Sequence, residues 1–230
     1  MSTRRAGFSL PELIVAMFIL GMLLGILFVV FNMGSRSFQG LVVRQGIQSE
    51  ARRVSALLRK DLTATHFNGT SVLDRIDGAG QERDALSIPT VNNWSDPGNF
   101  DQFQKPQWNR YLVYYATVDD TEKNPPLGDP NRGQLFRKQI DPGATMVFPL
   151  PYGNLGGALS SPTAPAGDFE TFKLLTSNVE SFAAEKSLAD EMVRVRLVLR
   201  QPTRSPGQSQ EVEKFEIFVE MHPENTWPSL

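Results

Sequence analysis

The sequence predicts an α+β protein: a long N-terminal helix whose second half packs on an antiparallel β-sheet head. Three observations carry this. Leu13 to Phe31 is an uncharged run of 19 residues whose only members that are not hydrophobic are Gly21 and Gly25. Apolar residues then recur every three to four positions as far as Leu62, the period of a helix with one buried stripe. From Leu86 onward the alternation has period two, as in half-buried strands.

The apolar run comes first. At 1.5 Å per residue it spans about 29 Å, against ~30 Å for the core of a bilayer. A helix buried in a soluble core rarely stays apolar on every face for this length. A cleaved secretory signal would share the basic start, here Arg4 and Arg5. Its apolar part is usually ~7–15 residues, however, and Phe31-Asn32-Met33 is not a small-x-small cleavage site. The run therefore reads as a retained membrane helix. Arg4 and Arg5 before it are matched by Arg36 and Arg44 after it, so basic residues leave the orientation open. The long C-terminal part fits an outside head.

Two features of this segment have more than one reading. Glu12 places a carboxylate directly before the run, where a charge costs less than the roughly 2.5–3.5 kcal/mol of mid-helix but still costs something. It is either a wet interfacial residue favoured by the helix N-terminus or a charge with a partner. Gly21 and Gly25 form a G-x-x-x-G pair, which permits close helix contact or local unwinding. Glycine is also simply commoner in membrane helices than in soluble ones.

The helical pattern continues through Ile47, Ala51, Val54, Leu58 and Leu62, while Arg44, Gln48, Arg52, Arg59 and Lys60 fall largely elsewhere and read as a solvated face. Gly34, Gly40 and Gly46 weaken the intervening part by about 1 kcal/mol each and allow a bend. A helix from Pro11 to Leu62 would be about 78 Å long.

Strands follow at Ala85 to Ile88, ended by Pro89, at Tyr111 to Val118, and at Gln134 to Ile140. Val193, Val195, Leu197 and Leu199 alternate with Arg194, Arg196, Val198 and Arg200. Phe215, Ile217, Val219 and Met221 alternate with Lys214, Glu216, Phe218 and Glu220. Antiparallel pairing of these two strands sets arginines against glutamates, worth a few tenths of a kcal/mol per pair. A polar turn through Pro202, Pro206 and Gly207 joins them. Asp119 to Gly133 and Asp141 to Asp168 read as loops, with a short strand at Thr145 to Leu150 inside the second.

Composition narrows the function. The chain has 230 residues, enough for one or at most two domains, and no cysteine, so the head is held by its core without disulfides. The net charge is −2; without Arg4, Arg5 and Glu12 it is −3, which argues against a broad nucleic-acid surface. His66 and His222 stand far apart without a motif, and no metalloprotease, nucleophile-elbow or phosphate-loop pattern occurs. Asp119, Asp120, Glu122 and Asp129 do not have the spacing of an EF-hand. Trp94, Trp108 and the Tyr111–Tyr115 cluster read as core and sheet surface. No catalytic residue, metal site or cofactor is expected.

The start of the chain carries a resemblance. A short basic leader, Gly7-Phe8-Ser9-Leu10-Pro11-Glu12-Leu13 and then unbroken hydrophobics resemble the class III signal of type IV pilins and type II secretion pseudopilins. Pro11 departs from the aliphatic residue of many relatives, but suits a first helical turn, where its missing N–H costs nothing. The resemblance implies a pilin-like fold, cleavage by a prepilin peptidase between Gly7 and Phe8, and N-methylation of Phe8. It also implies a filament-assembly role for Glu12, fifth after the cut, whose carboxylate would pair with the amine of a neighbouring subunit. The implied organisation is a leader at 1–7, a membrane part of the helix at 8–31, an amphipathic extension at 32–63 and a head at 64–230.

More loosely, Ala51 to Leu62, Asn109 to Tyr115 with Gly133 to Arg137, and the closing hairpin Met192 to Met221 resemble the J-type minor pseudopilins and W-type minor pilins. That resemblance implies a minor subunit that helps initiate or cap a type IV pilus or a type II secretion pseudopilus. Its partners would be other pilins or pseudopilins, the prepilin peptidase, an inner-membrane assembly platform and membrane lipid. It would be a single-pass protein of the inner membrane with its head on the extracytoplasmic side. The alternative is a pilin-like binding subunit for DNA uptake or surface adhesion, and a membrane-anchored enzyme is a third class.

Overall fold

In a computed structural model, which describes residues 9–118, 132–159, 169–202 and 212–224, helix α1 runs unbroken over Leu10–Thr63. Its 54 residues make it about 81 Å long. The three glycines at 34, 40 and 46 do not end it. Ile47, Ala51, Val54, Leu58 and Leu62 are buried as the periodicity predicts, each 1% exposed or less. A fully buried side chain of this kind stabilises by about 1.5–3 kcal/mol, so this stripe is the main attachment of helix to head.

Among the described residues the head is one antiparallel meander of seven strands in the order of the chain: β1 (Ser71–Leu73), β2 (Ala85–Thr90), β3 (Arg110–Ala116), β4 (Gly133–Ile140), β5 (Phe169–Ser187), β6 (Met192–Pro202) and β7 (Val212–Met221). Five were expected from the sequence. β1 and β5 were not. β2 also continues through Pro89 rather than stopping at it. β1 pairs only with Ala85 to Ser87, so Pro89 lies where β2 has a neighbour on one side, and a missing N–H is tolerated there.

β5 explains the shape of the sheet. Its first part pairs with β4 from Phe169 to Val179, and its last part pairs with β6 from Val179 to Ser187. Where β4 leaves off, the stretch before β2 takes its place: Asp84 N–H donates to Phe182 O and Phe182 N–H donates to Glu82 O, both at 2.9 Å. The sheet thus curls back on itself. Arg83 holds this corner with a buried ion pair to Asp77 at 3.0 Å and a hydrogen bond to Val179 O at 2.9 Å. Gly133 makes room, since a Cβ there would collide with the Arg83 guanidinium.

Two cores result. The larger lies between α1 and one face of the sheet and takes in Val193, Val195, Leu197, Leu199 and Val219, with Phe215 and Ile217 half-buried against it. These are apolar positions of the two alternating strands read in the sequence. The smaller core lies on the opposite face and contains Tyr111, Val113, Tyr115, Phe136 and Ile140. A short helix α2 (Leu155–Leu159), with Met146 and Tyr152, covers it. The segment 141–159, expected to be a loop, is therefore the lid of a second core. The strand expected at Thr145 to Leu150 reduces to a single bridge between Met146 and Trp108. The expected turn at Pro206 and Gly207 and most of the loop 119–133 lie outside the described residues.

The β6–β7 register corrects the charge ladder in detail. Arg194 does face Glu220, with N–O contact at 3.4 Å, but Arg196 faces Phe218 and reaches diagonally to Glu216 at 2.5 Å. Arg200 stands opposite Lys214, which is drawn off to Glu180 at 2.6 Å.

Candidate functional site

The helix begins where the chain chemistry says it should. Ser9 is the N-cap, in extended conformation at φ −76° and ψ 150°, and Pro11 occupies the first turn. Glu12 reaches back over this turn. Its Oε2 accepts from the Ser9 N–H and from the Ser9 hydroxyl, each at 2.8 Å. The backbone bond is the acidic half of a capping box, and a carboxylate at this place also suits the positive end of the helix dipole. This contact was not foreseen, although the S-x-x-E spacing of Ser9 and Glu12 was there to be read. Gly7 and Phe8 lie outside the described residues.

The arrangement leaves Glu12 exposed on the side of the helix, with one oxygen held and Oε1 without a partner among the described residues. A carboxylate oriented in this way is an acceptor for a cationic group brought from outside, and an ammonium is the simplest such group. Ser9 fixes the carboxylate before that group arrives, which lowers the ordering cost of pairing.

Above Glu12 the helix is bare. Every residue from Leu13 to Phe31 is exposed, and α1 is long and apolar enough to cross a membrane. A Cβ added at Gly21 or Gly25 would meet nothing within 4 Å, so that surface is open to a neighbouring helix. The apolar exposure does not stop at Phe31: Met33, Phe38, Leu41 and Val42 are also uncovered, and the first residue fully buried by the head is Ile47.

The upper end of the helix is latched to the head by polar groups. Asp61 Oδ2 accepts from Arg137 Nε at 2.9 Å and from the Tyr114 hydroxyl. Burial first, and the Asp61 charge second, push the Tyr114 phenol far above its usual range, so it remains a donor. Burial works against the Arg137 charge, but Asp61 and Tyr114 together outweigh it and raise the guanidinium pKa. Lower down, Arg53 donates to Leu175 O at 2.6 Å and Glu50 accepts from Asn178 Nδ2 at 2.9 Å. These contacts make helix and head one unit.

The remaining polar residues weighed in the sequence do not converge on one another. His66 is buried against Trp108 with ring centroids 6.0 Å apart, while His222 is exposed. Asp119, Asp120, Glu122 and Asp129 lie outside the described residues. Among the described residues no group of three or more acidic or histidine side chains is placed to hold a metal ion. Trp108, Tyr111, Tyr114 and Tyr115 are core, and Trp94 is partly exposed beside Phe100 and Trp108.

Comparison with known proteins adds to this picture at one place. Residues 2–28 match the model of the prokaryotic N-terminal methylation motif. No curated protein and no solved structure matches the chain. The match covers the basic start, the capped helix N-terminus with Glu12 and most of the bare apolar run, so the beginning of this chain is similar to a prokaryotic N-terminal methylation motif.

Proposed function

We propose that the chain is a minor pilin or minor pseudopilin, a structural subunit that helps to initiate or cap a type IV pilus or a type II secretion pseudopilus. The observation that carries this is the methylation signal at 2–28 leading into a helix that is bare below and packed on a head above. A helix uncovered over more than half its length needs an apolar environment. Membrane lipid before assembly and the helices of other subunits afterwards both supply one.

In this reading a prepilin peptidase cuts between Gly7 and Phe8, and the new amine of Phe8 is methylated. The leader is 1–7, the membrane part 8–31, the amphipathic extension 32–63 and the head 64–230, on the extracytoplasmic side of the inner membrane. Glu12 pairs with the amine of a neighbouring pilin or pseudopilin, and an assembly platform in the same membrane drives insertion into the filament. The J-type and W-type patterns support a minor rather than a major subunit. They fall on the packed end of α1, on β3 and β4, and on the β6–β7 hairpin.

The test is mass spectrometry of the N-terminal peptide of the protein from its own membranes. The expected species begins at Phe8 and carries one added methyl group on its amine. An intact Met1 start, or cleavage after Phe31, would overturn the reading.

A further inference from the structure

β7 has one neighbour. It pairs with β6 along its length, from Val212 opposite Pro202 to Met221 opposite Val193, and among the described residues no strand follows it in the sheet. Beside it lies a groove of about 440 Å³. One wall is α1, through Arg52, Ser55, Ala56 and Arg59; the other is β7, through the four consecutive residues 215–218. Successive strand residues point to opposite faces. Phe215 and Ile217 pack toward α1, whereas Phe218 is 61% exposed. A groove that touches all four follows the edge of the strand rather than either face.

An edge of this kind presents a row of main-chain donors and acceptors, which proteins often guard with charge. Here three of the four charges of β7 are engaged elsewhere: Lys214 with Glu180, Glu216 with Arg196 and Glu220 with Arg194. The helix wall opposite is low in the middle, at Ser55 and Ala56, so a backbone can approach. At its two ends stand Arg52 and Arg59, both exposed and without an anionic partner among the described residues. They are seven residues apart, about 10.5 Å along the helix, the length of about three residues of a strand.

We propose that this groove takes an extended, acidic segment of a neighbouring pilin-like head as an eighth strand, with its main chain on the β7 edge and its carboxylates on Arg52 and Arg59. The inference rests on the proposed function for the identity of the neighbour. Main-chain pairing along an open edge gives affinity, and the two arginines select an acidic sequence. A lipid headgroup does not fit the position, because Ser55 lies 24 residues beyond Phe31, about 36 Å along the helix. A second copy that offered its own β7 would present Glu216 and Glu220 already held by arginines.

The experiment places a photo-activated benzoylphenylalanine at Ser55 in one full-length variant and at Ile19, within the bare run, in another, each in the protein's own membranes. Adducts are mapped by mass spectrometry. The expected result is a Ser55 adduct with an acidic segment of a different pilin-like protein. Combining it with Arg52→Glu and Arg59→Glu should lower its yield at least tenfold, while the Ile19 adduct persists. Ser55 adducts only with lipid or with a second copy, none at all, or a yield indifferent to charge reversal would overturn the proposal. If Ile19 still captures a pilin-like neighbour in those cases, the proposed function stands without the groove; if neither position captures one, both fall.

Discussion

The two halves of α1 are one helix with two kinds of surface. From Leu10 to Val42 its apolar side chains face outward on every side, whereas from Ile47 to Leu62 a single stripe is buried and most of the rest is polar. The stretch 32–42 belongs with the first half by exposure, through Met33, Phe38, Leu41 and Val42, although it lies beyond the span that length alone would assign to a bilayer. What the difference teaches is that the upper half is explained by this chain and the lower half by something outside it. Substitutions should sort accordingly, into those that change the stability of the head and those that change only association.

Glu12 gives the largest expected effect on association. On the proposed reading, Glu12→Val leaves a neighbour's amine without its carboxylate in a low-dielectric setting, and an uncompensated buried charge can cost about 3–5 kcal/mol. That is at least a hundredfold in an association constant. Membrane insertion should persist, because a charge beside the apolar run disappears. Co-purification of the variant with its partner pilins from membranes checks this. Undiminished recovery would mean that Glu12 serves its own helix only, through Ser9.

A matched pair of truncations tests the other side of the comparison. Leu58→Ala removes a side chain that is 1% exposed and should lower head stability by about 2–5 kcal/mol. Leu23→Ala removes the same atoms where 58% of the residue is open, and should leave the thermal unfolding of the head in detergent within about 0.5 kcal/mol. Equal effects would show that the halves do not differ as their burial says.

Much of this division was legible in the sequence, for physical reasons that also mark where legibility ended. α1 announced itself because both its halves carry simple patterns, all-apolar below and period 3.6 above. β6 and β7 were readable because one face is buried and the other wet. β5 was not, and the bulge between Val179 and Ser181 is the reason. Leu175 and Val179 belong to the helix-side core on odd positions, Phe182 and Ala184 on even ones, so the period-two signal changes phase in mid-strand. β2 and β3 are buried on both faces, which removes alternation and made their ends hard to place. The second core was hidden because its lid, 141–159, has the composition of a loop. At the N-terminus, Glu12 was singled out by its position, but the hold of Ser9 on it needed the geometry.

The latch at the top of the helix should matter less than the apolar stripe. Asp61→Ala removes the acceptor of both Tyr114 and Arg137, and a hydrogen bond to a charged group is worth about 1.5–3 kcal/mol. Arg137 keeps part of its hydration, at 22% side-chain exposure, so the low end of that range is expected. Tyr114→Phe, which leaves the Asp61–Arg137 pair in place, should cost less. Urea unfolding of the three proteins measures both differences. A larger loss for Tyr114→Phe than for Asp61→Ala would contradict this ranking.

The smallest effect expected is a dependence of head stability on pH, and it separates the two halves of α1 once more. His66 sits just beyond the packed end of the helix, 2% exposed, with its ring edge-on to Trp108. Its Nδ1 accepts the Asn68 N–H at 3.1 Å, and its Nε2 has no partner among the described residues. Burial first, and the nearby Lys186 ammonium second, lower its pKa from the ordinary 6.5. Above that value the neutral ring is common to folded and unfolded chains and contributes no pH dependence. As the pH falls below it, the unfolded chain takes up a proton that the folded head resists, so stability declines until the depressed folded value is passed. His66→Asn keeps an acceptor for Asn68 and removes the titration. Its melting temperature in detergent should stay flatter than that of the parent between about pH 7 and pH 5.5, above the range where carboxylates titrate. His222, exposed and present in both proteins, cancels from the difference. Parallel pH profiles would show that the buried imidazole accepts its proton without cost. A spectroscopic reporter at Leu23, in the bare half, should register no change over the same range, because no titratable side chain lies between Leu13 and Phe31.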